Sequence, residues 1–409
     1  RTTRRDHAAS VMTGQEGKAS KELDDLHLVA FMTRNMSLEA WAKNGSLGRE
    51  TAFHRAIRPS LGAVTLVTFG GREDIAIGAE FLPGIEVVCN RVGMPAAWYH
   101  RYLRHFWARR QLVGKTTIVR TNQMPGASLA TDVAVAGGAC FLARLGYLHS
   151  FNIEQRTGQA SVAAERARSE ERYAVERADH VVVTTARIRE MMIEQYGIAP
   201  SMISIIPNYV DGTLFQPRSQ EVRERPPRLL YIGRLEAEKN PHLLIEAASR
   251  LETPVEVVMI GEGPARDELE TRAAELGVTL DLVGRLPNAD LPARIHDADI
   301  FVLASNYEGH PKALIEAMAS GKAVVGTDVP GIRDVIRHGE NGLLCEKTPA
   351  ALAAALTELL GSAALRQELG DVAAEEVKAT LMLDQVVDLE LDLYTKLLQP
   401  KKGLCRHAG

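Results

Sequence analysis

Cysteine is scarce in this chain. Cys89, Cys140, Cys345 and Cys405 are the only four, they lie far apart, and no two form a C-x-x-C pair. That spacing argues against a zinc site and a disulfide framework and fits a reducing cytosol. An excess of one charge is missing too: 48 Lys and Arg stand against 52 Asp and Glu, a net charge of −4, so no global field draws the protein to nucleic acid. No apolar run reaches the roughly 18 residues needed to cross a bilayer, and Arg1-Thr-Thr-Arg-Arg5 lacks the apolar core of a secretory signal. The expected location is the cytoplasm. A G-x-x-x-x-G-K-[ST] phosphate loop is absent, as is any short-period repeat.

What is present is an ordinary globular composition, 45% hydrophobic and 24% charged over 409 residues, long enough for two domains with full cores. Residues 1–25 are polar and aperiodic and read as a mobile tail. Apolar strand patterns follow at Leu26–Thr33, Ala63–Phe69, Ile85–Cys89, Thr117–Arg120 and His180–Thr184, with a short helix from Gly48 to Arg55. The second half repeats the scheme at Arg228–Ile232, Val255–Ile260, Leu280–Val283, Asp299–Ala304, Ala323–Thr327 and Gly342–Cys345. Such alternation predicts α/β architecture with buried parallel strands. Pro207, Pro217, Pro226 and Pro227 flank a charged stretch and mark residues 207–227 as a linker. Two doubly wound domains are expected, at 26–206 and 228–382, and residues 383–409 supply a last helix, expected to pack back on the first domain, and a tail.

Glu308 and Glu316 frame the most informative segment. Glu316 interrupts the apolar helical run Ala313–Ala319, where an ionised side chain is costly unless partners compensate. Pro311 suits the first helical position, so Glu308, Gly309 and His310 lead into a helix N-terminus, where free N–H groups favour a bound phosphate. A sugar nucleotide presents hydroxyls for both carboxylates and a diphosphate between them. In open α/β sheets ligands bind beyond the C-terminal strand ends, and three further loops stand there: Gly233-Arg234 with Lys239, Gly261-Glu262-Gly263-Pro264, and Gly284-Arg285. Arg234 and Lys239 offer two cations to a diphosphate. Gly261-x-Gly263 with Asp281 also suits a dinucleotide fingerprint, but Pro264 intervenes and the third glycine is missing.

Gly233-Arg-Leu with Lys239-Asn240, Gly261-Glu-Gly-Pro264, the run from Ser305 to Gly321, and Gly331 with Gly339-Glu-Asn-Gly342 together resemble the signature of retaining glycosyltransferases of the GT-B fold, family 4. The resemblance implies two Rossmann-like domains facing each other across a cleft. It implies that Arg234 and Lys239 bind the donor diphosphate, that Glu308 contacts the transferred sugar and that Glu316 holds the ribose. Gly233, Gly261, Glu262, Gly284, Arg285, Gly309, His310, Pro311 and Lys312 complete the donor site; His310 stands where the family commonly carries an aromatic residue. In the first domain, Gly48 is the candidate for the loop facing the phosphates. His149 is the candidate for a histidine beside the donor sugar, with a structural role as its alternative. Ile206–Asp211 resembles the family's crossover between halves. No Asp-x-Asp stands beside a suitable strand end, so no metal ligands are assigned: a nucleoside-diphosphate sugar is the expected co-substrate, with no other cofactor. Transfer of a hexosyl-type unit to a glycan or lipid-linked acceptor is the expected reaction, in polysaccharide or glycolipid synthesis. The alternatives are a GT-B sugar-nucleotide epimerase and a non-catalytic nucleotide-sugar-binding subunit.

The segment Trp98–Lys115 carries five Lys or Arg, several aromatic rings and no acidic residue. It reads either as peripheral contact with the inner face of an anionic membrane or as a half-buried helix with solvated arginines. Nucleic acid is the poorer explanation for a lone basic patch.

Overall fold

A computed structural model describes residues 23–157, 161–218 and 224–399. Residues 1–22 of the expected tail, part of the linker and the tail beyond 399 lie outside the described residues. The first lobe is a seven-stranded sheet of β1 His27–Phe31, β2 Ala63–Val67, β3 Glu86–Val88, β4 Thr117–Thr121, β5 Cys140–Leu145, β6 His180–Val183 and β7 Ile203–Ile205, ordered β3-β2-β1-β4-β5-β6-β7. The second is a six-stranded sheet of β8 Arg228–Ile232, β9 Glu256–Ile260, β10 Thr279–Gly284, β11 Ile300–Leu303, β12 Ala323–Thr327 and β13 Leu343–Cys345, ordered β10-β9-β8-β11-β12-β13. Every pairing between these strands is parallel, with Val29 level with Thr65 and Val119, and Leu229 with Val257 and Ile300. Central strands such as Leu229-Leu230-Tyr231 are buried throughout, because helices cover both faces of each sheet.

Local chemistry sets the helix ends. Ser37, Ser161, Thr185, Thr348 and Ser362 each cap a helix by accepting from the N–H three positions on. Strand order reverses at β1, between β2 and β4, and at β8, between β9 and β11. A crevice opens beyond the carboxyl ends of the strands at such points, and here the two crevices face each other.

Three expectations are corrected. Residues 23–25 are not tail: Leu23 packs on the core, and its carbonyl accepts from Leu26 and Gly62 at 3.0 and 3.2 Å. The strand Cys140–Leu145 went unread because Arg144 breaks the apolar pattern, yet Arg144 is buried within it. The first half of the linker is packed rather than loose. Val210 and Phe215 are buried, and Val210 exchanges backbone hydrogen bonds with Leu381 and Leu383 at 2.9 and 3.0 Å. Two chain crossings therefore run side by side. The helix Leu383–Leu398 then returns to the first lobe, where Val386, Leu393, Tyr394 and Leu397 join the core around Phe53 and Ile57. Its Glu390, fully buried, faces Arg120 at 3.4 Å and Arg144 at 3.3 Å.

Candidate active site

Between the lobes lies a cavity of about 780 Å³, walled by strand-end loops of both. From the second lobe come Gly233, Arg234 and Lys239 after β8, Gly261 and Glu262 after β9, Arg285 after β10, and Tyr307 to Lys312 after β11. The loops are pressed together. Gly261 takes φ +147°, and a Cβ on it would meet the Gly233 carbonyl oxygen at 1.8 Å, so only glycine fits there. Gly309 marks the contact between lobes, since its Cβ would lie 2.5 Å from the carbonyl oxygen of Gly146.

Charge pairing organises the second-lobe wall. Glu308 Oε1 accepts from Lys239 Nζ and from Ser305 Oγ, both at 2.7 Å. The Arg234 guanidinium is half exposed and donates to Glu236 at 2.8 Å and to Glu238 at 3.2 Å. Arg156 of the first lobe reaches across to the same Glu238. Burial pushes the Glu238 carboxyl up, but Arg156, Lys239 and Arg234 outweigh it and hold the group below its usual range. Three cations thus converge on one side of the cavity, with the N-terminus of the helix Lys312–Ala319 beside them.

His310 is fixed by the crossover segment. The Asn208 N–H donates to His310 Nδ1 at 3.2 Å, and Asn208 Nδ2 donates to the His310 carbonyl at 2.7 Å. Burial, with Arg144 adding, pushes its pKa down to about 4, so the ring is neutral near pH 7. His149 opens the helix His149–Thr157 and lines the cavity, its pKa likewise lowered by burial.

The structure moves other predicted residues. Glu316 is 2% exposed and lies behind the wall. Its Oε1 accepts from Asn288 Nδ2 at 3.1 Å and Arg49 Nη1 at 3.5 Å, while Oε2 has no hydrogen-bond partner among the described residues. Burial raises the Glu316 pKa against the pull of Arg49, Asn288 and Lys312. Gly48 does not line the cavity, because the helix already starts at Leu47; the preceding turn, Asn44 to Ser46, and Arg49 form the wall instead. Gly284 also stands back, its carbonyl accepting from the Gly261 N–H at 2.8 Å. The Lys312 ammonium is engaged by Glu50 of the first lobe at 2.7 Å. Burial raises the Glu50 pKa, but Lys312 and Arg49 draw it down to about 2.

Sequence reasoning missed Arg49, Asn288, Arg156 and Asn208. Each is an ordinary polar residue locally, and its place in the site comes from a contact more than 25 positions away. Asn208 alone had a signal, its position within the crossover segment.

Residues 213–376 match the model of the glycosyl transferases group 1, and residues 55–213 that of Glycosyltransferase Family 4. The chain is 27% identical over 274 residues to a glycogen synthase of Mycobacterium tuberculosis, covering 64% of this chain and 66% of that protein. It is 33% identical over 247 residues to a D-inositol 3-phosphate glycosyltransferase of Thermomonospora curvata, covering 53% and 57%. The matches thus span less than two thirds of these relatives' length. A sucrose-phosphate synthase of Thermosynechococcus elongatus superposes with a TM-score of 0.74 at 21% identity, covering 91% of this chain and 99% of that one. Anabaena HepE, solved in complex with UDP and glucose, gives 0.74 at 16% identity, over 90% and 100%. At these identities the likeness is one of fold. The two family models meet at residue 213 and reach from 55 to 376, on either side of the cleft, and the chain belongs to the family 4 glycosyltransferases, with the GT-B fold.

Proposed function

We propose that this protein transfers a hexosyl-type unit, with retention of anomeric configuration, from a nucleoside-diphosphate sugar to a glycan or lipid-linked acceptor. The observation that carries the reading is the Lys239–Glu308 pair, 2.7 Å apart, beside a helix N-terminus in an interlobe cavity. As the C1–O bond to the diphosphate breaks, negative charge grows on the leaving phosphate. Arg234, Lys239 and the free N–H groups of the first turn of the Lys312–Ala319 helix stabilise that charge. Glu308 accepts hydrogen bonds from the transferred sugar, and neutral His149 and His310 shape its pocket. The acceptor hydroxyl forms the new C1–O bond on the same face and passes its proton to the departing phosphate oxygen. Glu316, with one oxygen unpartnered, receives a ribose hydroxyl once Arg49 shifts. The cations stand in for a divalent metal.

The test is product analysis with a panel of sugar nucleotides. The wild-type chain is expected to make a glycoside at a rate that EDTA leaves unchanged, while Lys239→Ala and Glu308→Gln each slow transfer by about 10²–10³-fold in a folded protein. Near-normal turnover by both variants defeats the assignment. An epimerase would release an uncoupled sugar, and a non-catalytic subunit would make nothing.

A further inference from the structure

The described residues expose three aromatic side chains, and all three lie on one helix: Trp98 (63%), Tyr102 (41%) and Phe106 (68%). The helix begins as Ala96–Tyr102, widens to π geometry over Leu103–Trp107, and closes as Ala108–Gln111. Its other face is buried through Tyr99, Leu103, Trp107 and Leu112. The outward aromatics recur every four residues, one position before Tyr99, Leu103 and Trp107, so two parallel stripes run along the helix and only the inner one finds protein. Val92 and Val113, in the segments that flank the helix, are also exposed, at 70% and 59%.

Charge narrows the choice of occupant. Between Arg91 and Lys115 there are six Arg or Lys and no acidic residue. Arg101, Arg109 and Arg110 are exposed and have no carboxylate partner among the described residues. Beside the stripe, His100, Arg101, Arg104 and His105 line a hollow of about 310 Å³ that holds one acid, Asp132, paired with Arg104 at 3.1 Å. A second copy of the chain would bring basic face against basic face. A surface that is anionic outside and apolar beneath satisfies both features.

We propose that the outer face of the Ala96–Gln111 helix docks on an anionic lipid bilayer, with Trp98, Tyr102 and Phe106 entering the interface and the hollow seating a lipid phosphate. The helix is fastened to the cleft side of its sheet. Tyr99 donates to the carbonyls of Thr68 and Val88 at 3.1 and 3.3 Å, at the carboxyl ends of β2 and β3. Docking therefore turns the cleft-facing edge of the first lobe toward the membrane and deepens the proposed function by favouring a lipid-linked acceptor. The docking itself rests on the helix alone.

Co-sedimentation of the full chain with vesicles, without donor or acceptor, tests the claim. Vesicles of phosphatidylcholine with phosphatidylglycerol are expected to retain the protein, and phosphatidylcholine alone is not. Joint Arg109→Glu and Arg110→Glu substitution is expected to weaken retention at least about tenfold, and joint Trp98→Ser and Phe106→Ser substitution to abolish it. Both variants should keep the wild-type melting temperature and donor turnover in solution. Equal retention by neutral vesicles, undiminished retention of either variant, or no retention of the wild-type chain overturns the proposal. Binding to RNA or to an acidic protein without vesicle retention has the same force. A chain that sediments but makes no glycoside leaves docking intact and defeats the catalytic reading; the reverse result does the opposite.

Discussion

Glu316 shows how a single residue can be half legible. Its place in an apolar helical run implies burial and a need for partners, and it is 2% exposed. The partners could not be read, because Arg49 lies 267 positions away and nothing local distinguishes it. Removing that arginine leaves a buried carboxylate with one neutral donor, a loss of about 3–5 kcal/mol. Arg49→Met should therefore lower stability in urea, and the pH dependence should identify the cause. The folded pKa of Glu316 is already raised by burial and rises further without Arg49. The folded state then holds a proton that the unfolded state has released, so the variant's deficit is small below the ordinary carboxylate pKa and grows as pH rises through the folded value. A deficit independent of pH would assign the loss to packing. Gly48 went wrong for a backbone reason: the helix starts one residue before it, which hands the cavity wall to the preceding turn.

At the scale of elements, strands with unbroken apolar runs were legible, and β8, β9 and β12 fall within two residues of expectation. β5 was not, since Arg144 disguises it. The physical reason is tertiary: Glu390, delivered by the last helix of the chain, supplies the carboxylate that lets Arg120 and Arg144 stay buried. Glu390→Ala strands two guanidinium groups in the core and is expected to destabilise the protein by about 3–5 kcal/mol, read as a lower urea midpoint. A loss below about 1 kcal/mol, the range of an exposed pair, would mean that water reaches the cluster. The segment that reads as a linker holds Val210 and Phe215 in the core; its prolines signalled a change of direction rather than looseness.

For the molecule as a whole, sequence patterning carried the two-sheet plan, whereas the closeness of the lobes could not be read. The contacts that join them, Arg49 to Glu316, Lys312 to Glu50 and Arg156 to Glu238, connect residues remote in sequence. Acid sensitivity is a property at this scale. His54 titrates at about 3, and His180, His296 and His310 at about 4, burial being the leading cause for each. Their unfolded values lie near 6.5, so the unfolded chain binds more protons below that pH and stability falls as pH drops from about 6.5 toward 4. Melting temperatures across this window should decline steadily, and His310→Gln, which removes one such group from the cleft, should flatten the slope. An unchanged slope would show that His310 stays protonated in the fold.

The side-by-side passage of Val210 and Met382 between the lobes bears on what a nick would do. With one connection severed, the polypeptide would still be threaded from one half to the other by the second, and the terminal helix would remain seated where it was. Cleavage there would yield two fragments that travel together, a split protein held by its own knit.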